Sequence, residues 1–250
     1  MKCKILLLLL LLLFTISCKQ KAEKGALLVY CAAVVKPVLE EISRDYYAEK
    51  GVQIDVQYGG SGTLLANMRV SGKGDLYIPA DGSYIEEALS FGLITESKAL
   101  VPITPVIAVA KGNPKAIKSL DDLYNSSYKL GIANPDAASI GRLTKQMFVQ
   151  NGTWNAIKSN VYVQMPTVSD VANAIKLKTI DVGVVWNVTV HQYQELEVVP
   201  IDYFTLFTKY VSAGVLKSSA QPEEASRFLA YLSTRDKSAK TFKKYGYPVY

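Results

Sequence analysis

Short apolar runs alternate with amphipathic stretches along the chain after residue 24. The short runs predict buried strands, and apolar residues spaced three and four apart predict helices. This alternation is typical of an α/β fold in which helices connect the strands of mixed, mostly parallel sheets. The predicted strands are Leu27–Cys31, Gln53–Tyr58, Asp75–Ile78, Val106–Val109, Leu130–Ala133, Val161–Gln164, Val182–Trp186, Glu197–Pro200 and Lys209–Val215. The predicted helices are Val35–Lys50, Thr63–Val70, Ser83–Phe91, Ile140–Gln150, Val168–Leu177, Pro222–Ser233 and Asp236–Lys243.

Prolines interrupt this alternation at two places and indicate crossings between two lobes. Pro102 and Pro105 mark the first crossing, and Pro200 marks the approach to the second. We therefore expect one lobe from 25–103 with 208–250 and a second lobe from 104–207. The alternative is one continuous doubly wound sheet.

The first residues are typical of an export signal. Two lysines precede Ile5–Phe14, an unbroken apolar run that is too short for a membrane span of about 20 residues. It fits the apolar region of a secretory signal peptide instead. Ser17 followed by Cys18 resembles a bacterial lipoprotein processing site, which predicts a signal peptide at 1–17, acylation of Cys18 and a polar tether at 18–24. The alternative is an ordinary signal peptide, and both place the domain outside the cytoplasm.

The composition narrows the classes of function. Lys and Arg number 28 against 22 Asp and Glu, a formal net charge of +6 that suits small anions but not a polybasic nucleic-acid tail. Three cysteines are too few for a disulfide framework, and the single histidine, His191, argues against a histidine-rich metal site or a serine-type triad. We interpret His191 as structural and expect no cofactor, no metal and no nucleic-acid partner.

A glycine-rich segment stands where a strand is predicted to lead into a helix. Residues 58–64 read Tyr-Gly-Gly-Ser-Gly-Thr-Leu, with Ser61 placed as a helix N-cap and glycines that let a ligand approach the backbone. A helix N-terminus offers unpaired N–H donors and a partial positive charge, so it binds anions without a cationic side chain. The alternative is a tight turn with a capping serine.

Three further junctions at residues 31–35, 134–141 and 166–171 repeat this arrangement. Ligands of open α/β sheets bind beyond the carboxyl ends of the strands. If these helix N-termini converge there, they form a cage of neutral donors.

Six segments together resemble a known family. They occur in order at 29–33, 59–64, 74–81, 134–136, 181–186 and 242–247. Together they resemble the extracytoplasmic molybdate-binding proteins of ABC importers. The resemblance implies a two-lobed periplasmic-binding-protein fold of type II that closes on its ligand by a hinge. It also implies molybdate or tungstate as ligand and an ABC permease as partner.

The resemblance also implies a set of binding residues. Ser61 matches a serine of the family, whereas Val34 stands where the family has another serine, and only its backbone N–H can donate. Ser139 offers a replacement hydroxyl, and Trp186, whose indole N–H only donates, stands where the family has a tyrosine. The predicted ligand-binding residues are Val34, Ser61, Ser139, Ile140, Val171 and Trp186.

The expected function is therefore capture of molybdate or tungstate by a lipid-anchored monomer, without catalysis. Three aspartates lie near the junctions, Asp81, Asp136 and Asp170, and we interpret them as capping or turn residues. The alternative is an acid beside the anion, which would accept the proton of hydrogen phosphate. Three alternatives stay open: a receptor for sulfate or phosphate, an enzyme with Cys31 as nucleophile, and a sensor that signals to a membrane partner.

Overall fold

The structure, a computed structural model, describes residues 25–234 and 236–249. The predicted signal peptide, the acylation of Cys18 and the tether lie outside these residues. The strands are β1 Leu27–Ala32, β2 Ile54–Gly59, β3 Leu76–Ile78, β4 Ile94–Ile103, β5 Pro105–Ala110, β6 Leu130–Ala133, β7 Val161–Met165, β8 Val182–Trp186, β9 Leu196–Val199 and β10 Lys209–Leu216. The α-helices are α1 Lys36–Lys50, α2 Ser61–Ser71, α3 Ser83–Ser90, α4 Ser139–Gln150, α5 Trp154–Asn160, α6 Val168–Lys176, α7 Asn187–Gln192, α8 Pro222–Leu232 and α9 Lys237–Lys244.

The strands form two separate five-stranded sheets, and each is the centre of one lobe. The first sheet has the order β2-β1-β3-β10-β4, and the second has the order β7-β6-β8-β5-β9. In the first sheet β1 pairs in parallel with β2 and β3, whereas β10 runs antiparallel to β3 and β4. The second sheet repeats this, because β6 is parallel to β7 and β8 while β5 is antiparallel to β8 and β9.

This topology confirms the predicted two-lobed α/β class of type II, with mixed sheets flanked by helices. The sheets are not mostly parallel as predicted, because two of the four pairings in each sheet are parallel and two are antiparallel. A single continuous sheet is not what the chain forms. The first sheet takes its strands from residues 27–103 and 209–216, and the second from residues 105–199.

Three elements are missing from the predicted strands and helices given above: β4, α5 and the short helix α7, which was expected only as the element that contains His191. The long strand β4 was missed because residues 95–99 at its centre are exposed and carry no apolar alternation. It forms through antiparallel pairing with β10, which lies more than one hundred residues away along the chain. The short helix α5 buries only Ile157, so its pattern was too weak to predict.

The two crossing segments are tied together at Thr104. The Thr104 and Thr208 hydroxyl oxygens lie 2.8 Å apart, which joins the outgoing and returning chains. Asn187 brackets the same residue, because its side-chain oxygen accepts from the Thr104 N–H at 3.0 Å and its own N–H donates to the Thr104 carbonyl at 2.8 Å. These hydrogen bonds hold both crossing segments beside the C-terminal end of β8.

In the residues that the structure describes, no helix is both long enough and apolar enough to cross a membrane.

We predict that Gly74→Ala destabilises the first lobe more than Gly51→Ala does. Both glycines have positive φ, +119° and +67°, but a Cβ at Gly74 would lie 2.5 Å from the Tyr30 ring whereas one at Gly51 meets nothing. Backbone strain of roughly 1–3 kcal/mol applies to both substitutions, and overpacking against the Tyr30 ring should add about 1–3 kcal/mol at Gly74 alone. Urea unfolding measures both; equal costs would contradict the packing at Gly74.

Candidate functional site

A small cavity lies between the lobes, beyond the ends of β1, β2, β6 and β8. The centre of a water molecule can occupy about 10 Å³ of this cavity, so the cavity has room for about one water. The lining comes from both lobes: Ala32, Ala33, Val34, Gly59, Gly60, Ser61, Ala80, Ala138, Ser139, Ile140, Thr167, Val168 and Trp186.

The lining is uncharged. None of the side chains that line the cavity in the described part of the chain is acidic or basic, and residues 25–234 and 236–249 contain no cluster of His, Cys, Asp and Glu that could hold a metal ion. The polar groups available are hydroxyls and backbone amides. Such a site offers hydrogen bonds and helix dipoles without a formal charge of its own.

Ser61 begins α2 and is held from two sides. The N-cap is Gly60 and not Ser61 as predicted, because the Ser61 side chain turns away from the helix to accept a hydrogen bond from the Ala80 N–H at 3.2 Å. The Tyr77 hydroxyl donates to the Ser61 carbonyl at 2.7 Å. A hydroxyl that accepts in this way keeps its proton for a second partner. The buried Ser61 is therefore a fixed donor facing the cavity.

The start of α2 also touches the second lobe directly. The N–H groups of Gly62 and Thr63 both donate to the Ala137 carbonyl, at 2.9 Å and 3.2 Å. Two of the four N–H groups that lack an acceptor within the helix are thus used between the lobes. The Ser61 N–H, at the first helical position, is the donor of this turn that lines the cavity.

Val34 lies in a single 3₁₀ turn, Ala33–Val35, between β1 and α1. Its carbonyl accepts from the Tyr247 hydroxyl at 2.8 Å and from the Gln192 side-chain amide at 3.4 Å. These bonds anchor the peptide that follows Val34, while the N–H groups of this turn have no acceptor within it. Val34 is buried in the cavity wall, so its backbone can serve where no hydroxyl exists.

The second lobe contributes the first turn of α4. Ser139 and Ile140 are its first two residues, with Ala138 as N-cap, and both are buried in the cavity wall. Their N–H groups precede the first helical hydrogen bond, which the Arg142 N–H makes to the Ala138 carbonyl at 3.0 Å. The Ser139 hydroxyl adds a side-chain donor.

Val171 is placed differently from the prediction. It is the fourth residue of α6, its N–H donates to the Thr167 carbonyl at 3.4 Å, and it does not line the cavity. Thr167 and Val168 line the cavity instead. Thr167 is occupied by a capping box, since its N–H and hydroxyl donate to the Asp170 carboxylate at 3.0 Å and 2.7 Å. The Val168 N–H, at the first helical position, replaces the donor expected at Val171.

Trp186 ends β8 and is 1% exposed, so its ring forms a wall of the cavity. Cys31 is also buried, but it lies outside the lining and burial raises the pKa of its thiol well above the ordinary value. A thiol is nucleophilic only as thiolate, so this environment does not activate it. Nothing in the cavity favours Cys31 as a nucleophile.

The acidic residues near the junctions make local contacts. Asp81 accepts from the Ser83 N–H at 2.9 Å, and Asp170 closes the capping box of α6. Asp136 is exposed and its N–H donates to the Asn134 side chain at 2.9 Å. None of the three lines the cavity.

Residues 27–248 match the family described as bacterial extracellular solute-binding protein. The chain belongs to this family. The molybdate-binding protein ModA of Mycobacterium tuberculosis H37Rv is 24% identical over 219 residues, which cover 83% of this chain and 79% of the relative. Membership of this family means that the protein lies outside the cytoplasm and binds a solute.

Two solved structures share the fold. The periplasmic molybdate-binding protein of Azotobacter vinelandii superposes with a TM-score of 0.75 at 19% identity, covering 90% of this chain and 99% of that one. The sulfate-binding protein SubI of Mycobacterium tuberculosis H37Rv gives a TM-score of 0.76 at 16% identity, covering 90% and 86%. At these identities the likeness concerns the fold.

Five of the six predicted residues meet at the cavity, and sequence reasoning missed several others. Val34, Ser61, Ser139, Ile140 and Trp186 line it. Val168 lines it and was not predicted, although it lies in the junction at 166–171, and the Ala137 carbonyl, which accepts from Gly62 and Thr63 outside the lining, was not predicted either. The available signal for Val168 was its place directly after a capping threonine and three residues before Val171.

We predict that Gly60→Ala prevents full closure without unfolding either lobe. The backbone at Gly60, with φ −71° and ψ 144°, suits alanine, but a Cβ there would lie 2.3 Å from the Ala137 carbonyl of the other lobe. Quenching of tryptophan fluorescence by acrylamide should rise because Trp186 becomes accessible, while the melting temperature stays within a few degrees. Gly59→Ala is the control, since its Cβ meets only the Leu64 side chain at 3.4 Å. Equal quenching in both variants would contradict the closed contact.

Proposed function

We propose that this protein captures a tetrahedral oxyanion, molybdate or tungstate, between its lobes and delivers it to an ABC permease. The observation that carries this proposal is the uncharged interlobe cavity lined by Ser61 and by the first residues of helices from both lobes. The molybdate-binding relative, matched over 83% of the chain, supports the choice of anion.

Neutral donors hold a dianion when enough of them converge. Each helix N-terminus contributes about 0.3–1 kcal/mol when exposed and up to ~2 kcal/mol when partly buried. The starts of α2, α4 and α6 and the turn at Val34 all border this cavity. Together with the hydroxyls of Ser61 and Ser139, they replace the water that the anion loses, which one helix alone would not do.

The lining also selects the protonation state. Every polar group proposed at the anion can donate, and no carboxylate lines the cavity. A hydrogen phosphate would bury its own proton with only a hydroxyl, and no carboxylate, to accept it, which costs affinity. The proposed ligand is therefore a fully deprotonated anion.

Sulfate is the second candidate. It carries the same charge and shape, and the same set of donors serves it. The structural neighbour that binds sulfate has the same fold. Molybdate ranks first here because the molybdate-binding relative matches in sequence as well.

Several features of the proposed receptor remain predictions. We propose that Cys18 is acylated and anchors a monomer to the membrane, and that the lobes comprise 25–103 with 208–250 and 104–207. Import through a permease, rather than signalling to a membrane partner, is the proposed outcome of binding. No turnover is proposed, because the buried Cys31 thiol is held neutral.

We predict that calorimetric titration detects molybdate or tungstate binding well below millimolar and that Ser61→Ala and Ser139→Ala each weaken it about tenfold. The reason is the loss of one hydroxyl donor to a charged acceptor, worth about 1.5–3 kcal/mol. Ser159→Ala is the control, because this hydroxyl is exposed and donates to the Asn155 carbonyl within its own helix. Sulfate and phosphate are titrated alongside. No binding of any of the four anions below millimolar would refute the assignment.

We predict that the affinity for molybdate is constant between about pH 6 and pH 9. No lining side chain titrates, and burial raises the pKa of the neighbouring Cys31 thiol and of the Tyr247 hydroxyl that supports Val34. A raised pKa keeps both groups neutral throughout this range, so binding neither takes up nor releases a proton. Titrations across this pH range, in buffers of different ionisation enthalpy, check this prediction. A tenfold change in the dissociation constant would reveal an ionisable group at the anion.

A further inference from the structure

A second contact between the lobes lies at the edge of the cleft, outside the cavity. Arg142 on α4 reaches across to α3 of the first lobe, where its Nη1 lies 2.8 Å from the Glu87 Oε2. The centre of its guanidinium group lies 3.8 Å from the centroid of the Tyr84 ring. Tyr84 and Glu87 are three residues apart on α3 and therefore share one face of that helix. We name Arg142, Tyr84 and Glu87 the latch.

The latch is distinct from the anion site. None of its three residues lines the cavity, and the Arg142 side chain donates to Glu87 instead. Among the ion pairs found within residues 25–234 and 236–249, this is the one that joins the two lobes. Because the partners are on different lobes, the contacts exist only when the lobes are closed.

We propose that Arg142 sets the affinity for the anion without touching it, by holding the lobes closed through Glu87 and Tyr84. This inference rests on the proposed function. A solute receptor binds tightly only in its closed state, so any contact unique to that state raises the apparent affinity. The principal effect should fall on the dissociation rate, since the anion leaves when the lobes open.

The geometry links the latch to the donors. Arg142 follows Ser139 by three residues on α4, so the residue that reaches Glu87 lies one turn from the residue that meets the anion. On the other lobe, the Tyr84 hydroxyl lies 3.3 Å from the position of a Cβ at Gly62, whose N–H donates to Ala137. Engaging the latch therefore brings the starts of α4 and α2 together.

Burial makes this pair more effective than an ordinary surface ion pair. The Arg142 and Glu87 side chains are only 32% and 34% exposed. Fully exposed pairs often contribute nothing measurable because solvent and salt screen them. Arg142 additionally covers the face of a buried aromatic ring, an interaction that strengthens as water is removed.

The experiment measures molybdate binding to the full chain by stopped-flow tryptophan fluorescence. Arg142→Gln and Glu87→Gln should each raise the dissociation rate about three- to tenfold, with an association rate within twofold of the wild type. The dissociation rate of the double variant should not exceed that of Arg142→Gln, because both substitutions break the same ion pair. Added salt should raise the wild-type dissociation rate and leave the Arg142→Gln rate nearly unchanged.

The matched control is Lys176→Gln, which breaks the 2.8 Å pair with Glu195 inside the second lobe. This variant should bind like the wild type, and the melting temperature of the anion-free protein should stay the same in all variants. An unchanged dissociation rate in Arg142→Gln, or an equal change in Lys176→Gln, overturns the proposal.

Failure of the proposed function gives a different result. If the wild type binds no molybdate, tungstate or sulfate, the assignment of the ligand fails, and solution X-ray scattering of the anion-free protein decides the latch by itself. Arg142→Gln should then show a larger radius of gyration than the wild type and Lys176→Gln. Equal radii would overturn the latch.

Discussion

The backbone N–H groups at the start of a helix have no acceptor within that helix, and this constraint organises the interface between the lobes. Several such helix starts meet there, at Ser61, Ser139 and Val168. A buried donor without a partner costs free energy. The fold therefore brings together groups that need an acceptor, and the proposed anion would satisfy several of them at once. In the proposed receptor, solute binding follows from how the helices begin rather than from any charged residue.

The same donors take part in closure. Gly62 and Thr63 give their N–H groups to the Ala137 carbonyl, so part of the first turn of α2 binds the opposite lobe and part faces the cavity. Closure and binding therefore draw on neighbouring atoms of a single turn. Arg142 adds a contact of another kind, an ion pair and a stacked guanidinium at the edge of the cleft. In the proposed receptor, this separation would let the affinity change without altering the donors that recognise the anion.

The fold class could be predicted from the sequence because it depends on local patterns, and five of the six residues predicted for the site line the cavity. Hydrophobic periodicity located nearly all strands and helices, and the strand-to-helix junctions located Ser61 and Ser139. What it missed depends on contacts between distant segments. The role of Ser61 as N-cap was wrong because its side chain bonds to Ala80, nineteen residues away. The strand β4 and the pairing of Arg142 with Glu87 likewise arise only when separate elements meet. Val171 was carried over from the family resemblance, although the helix was already predicted to begin at Val168, and its N–H bonds to the Thr167 carbonyl within the helix.

The contact between the lobes is made largely by main-chain atoms, and this bears on selectivity. A Cβ at Gly60 would lie 2.3 Å from the Ala137 carbonyl, and one at Gly62 would lie 2.7 Å from the Asp136 carbonyl, so the absence of side chains lets backbone meet backbone. Gly60 and Gly62 lie at the start of α2, and the Asp136 and Ala137 carbonyls lie in the turn before α4, so these contacts do not depend on a side-chain rotamer. In the proposed receptor, these contacts set the limit of closure, and that limit would distinguish tetrahedral anions that share charge and shape but differ slightly in radius. Val34 and Trp186 also line the cavity and affect its size without adding charge. Discrimination among oxyanions would then depend on how closely the glycines let the lobes approach.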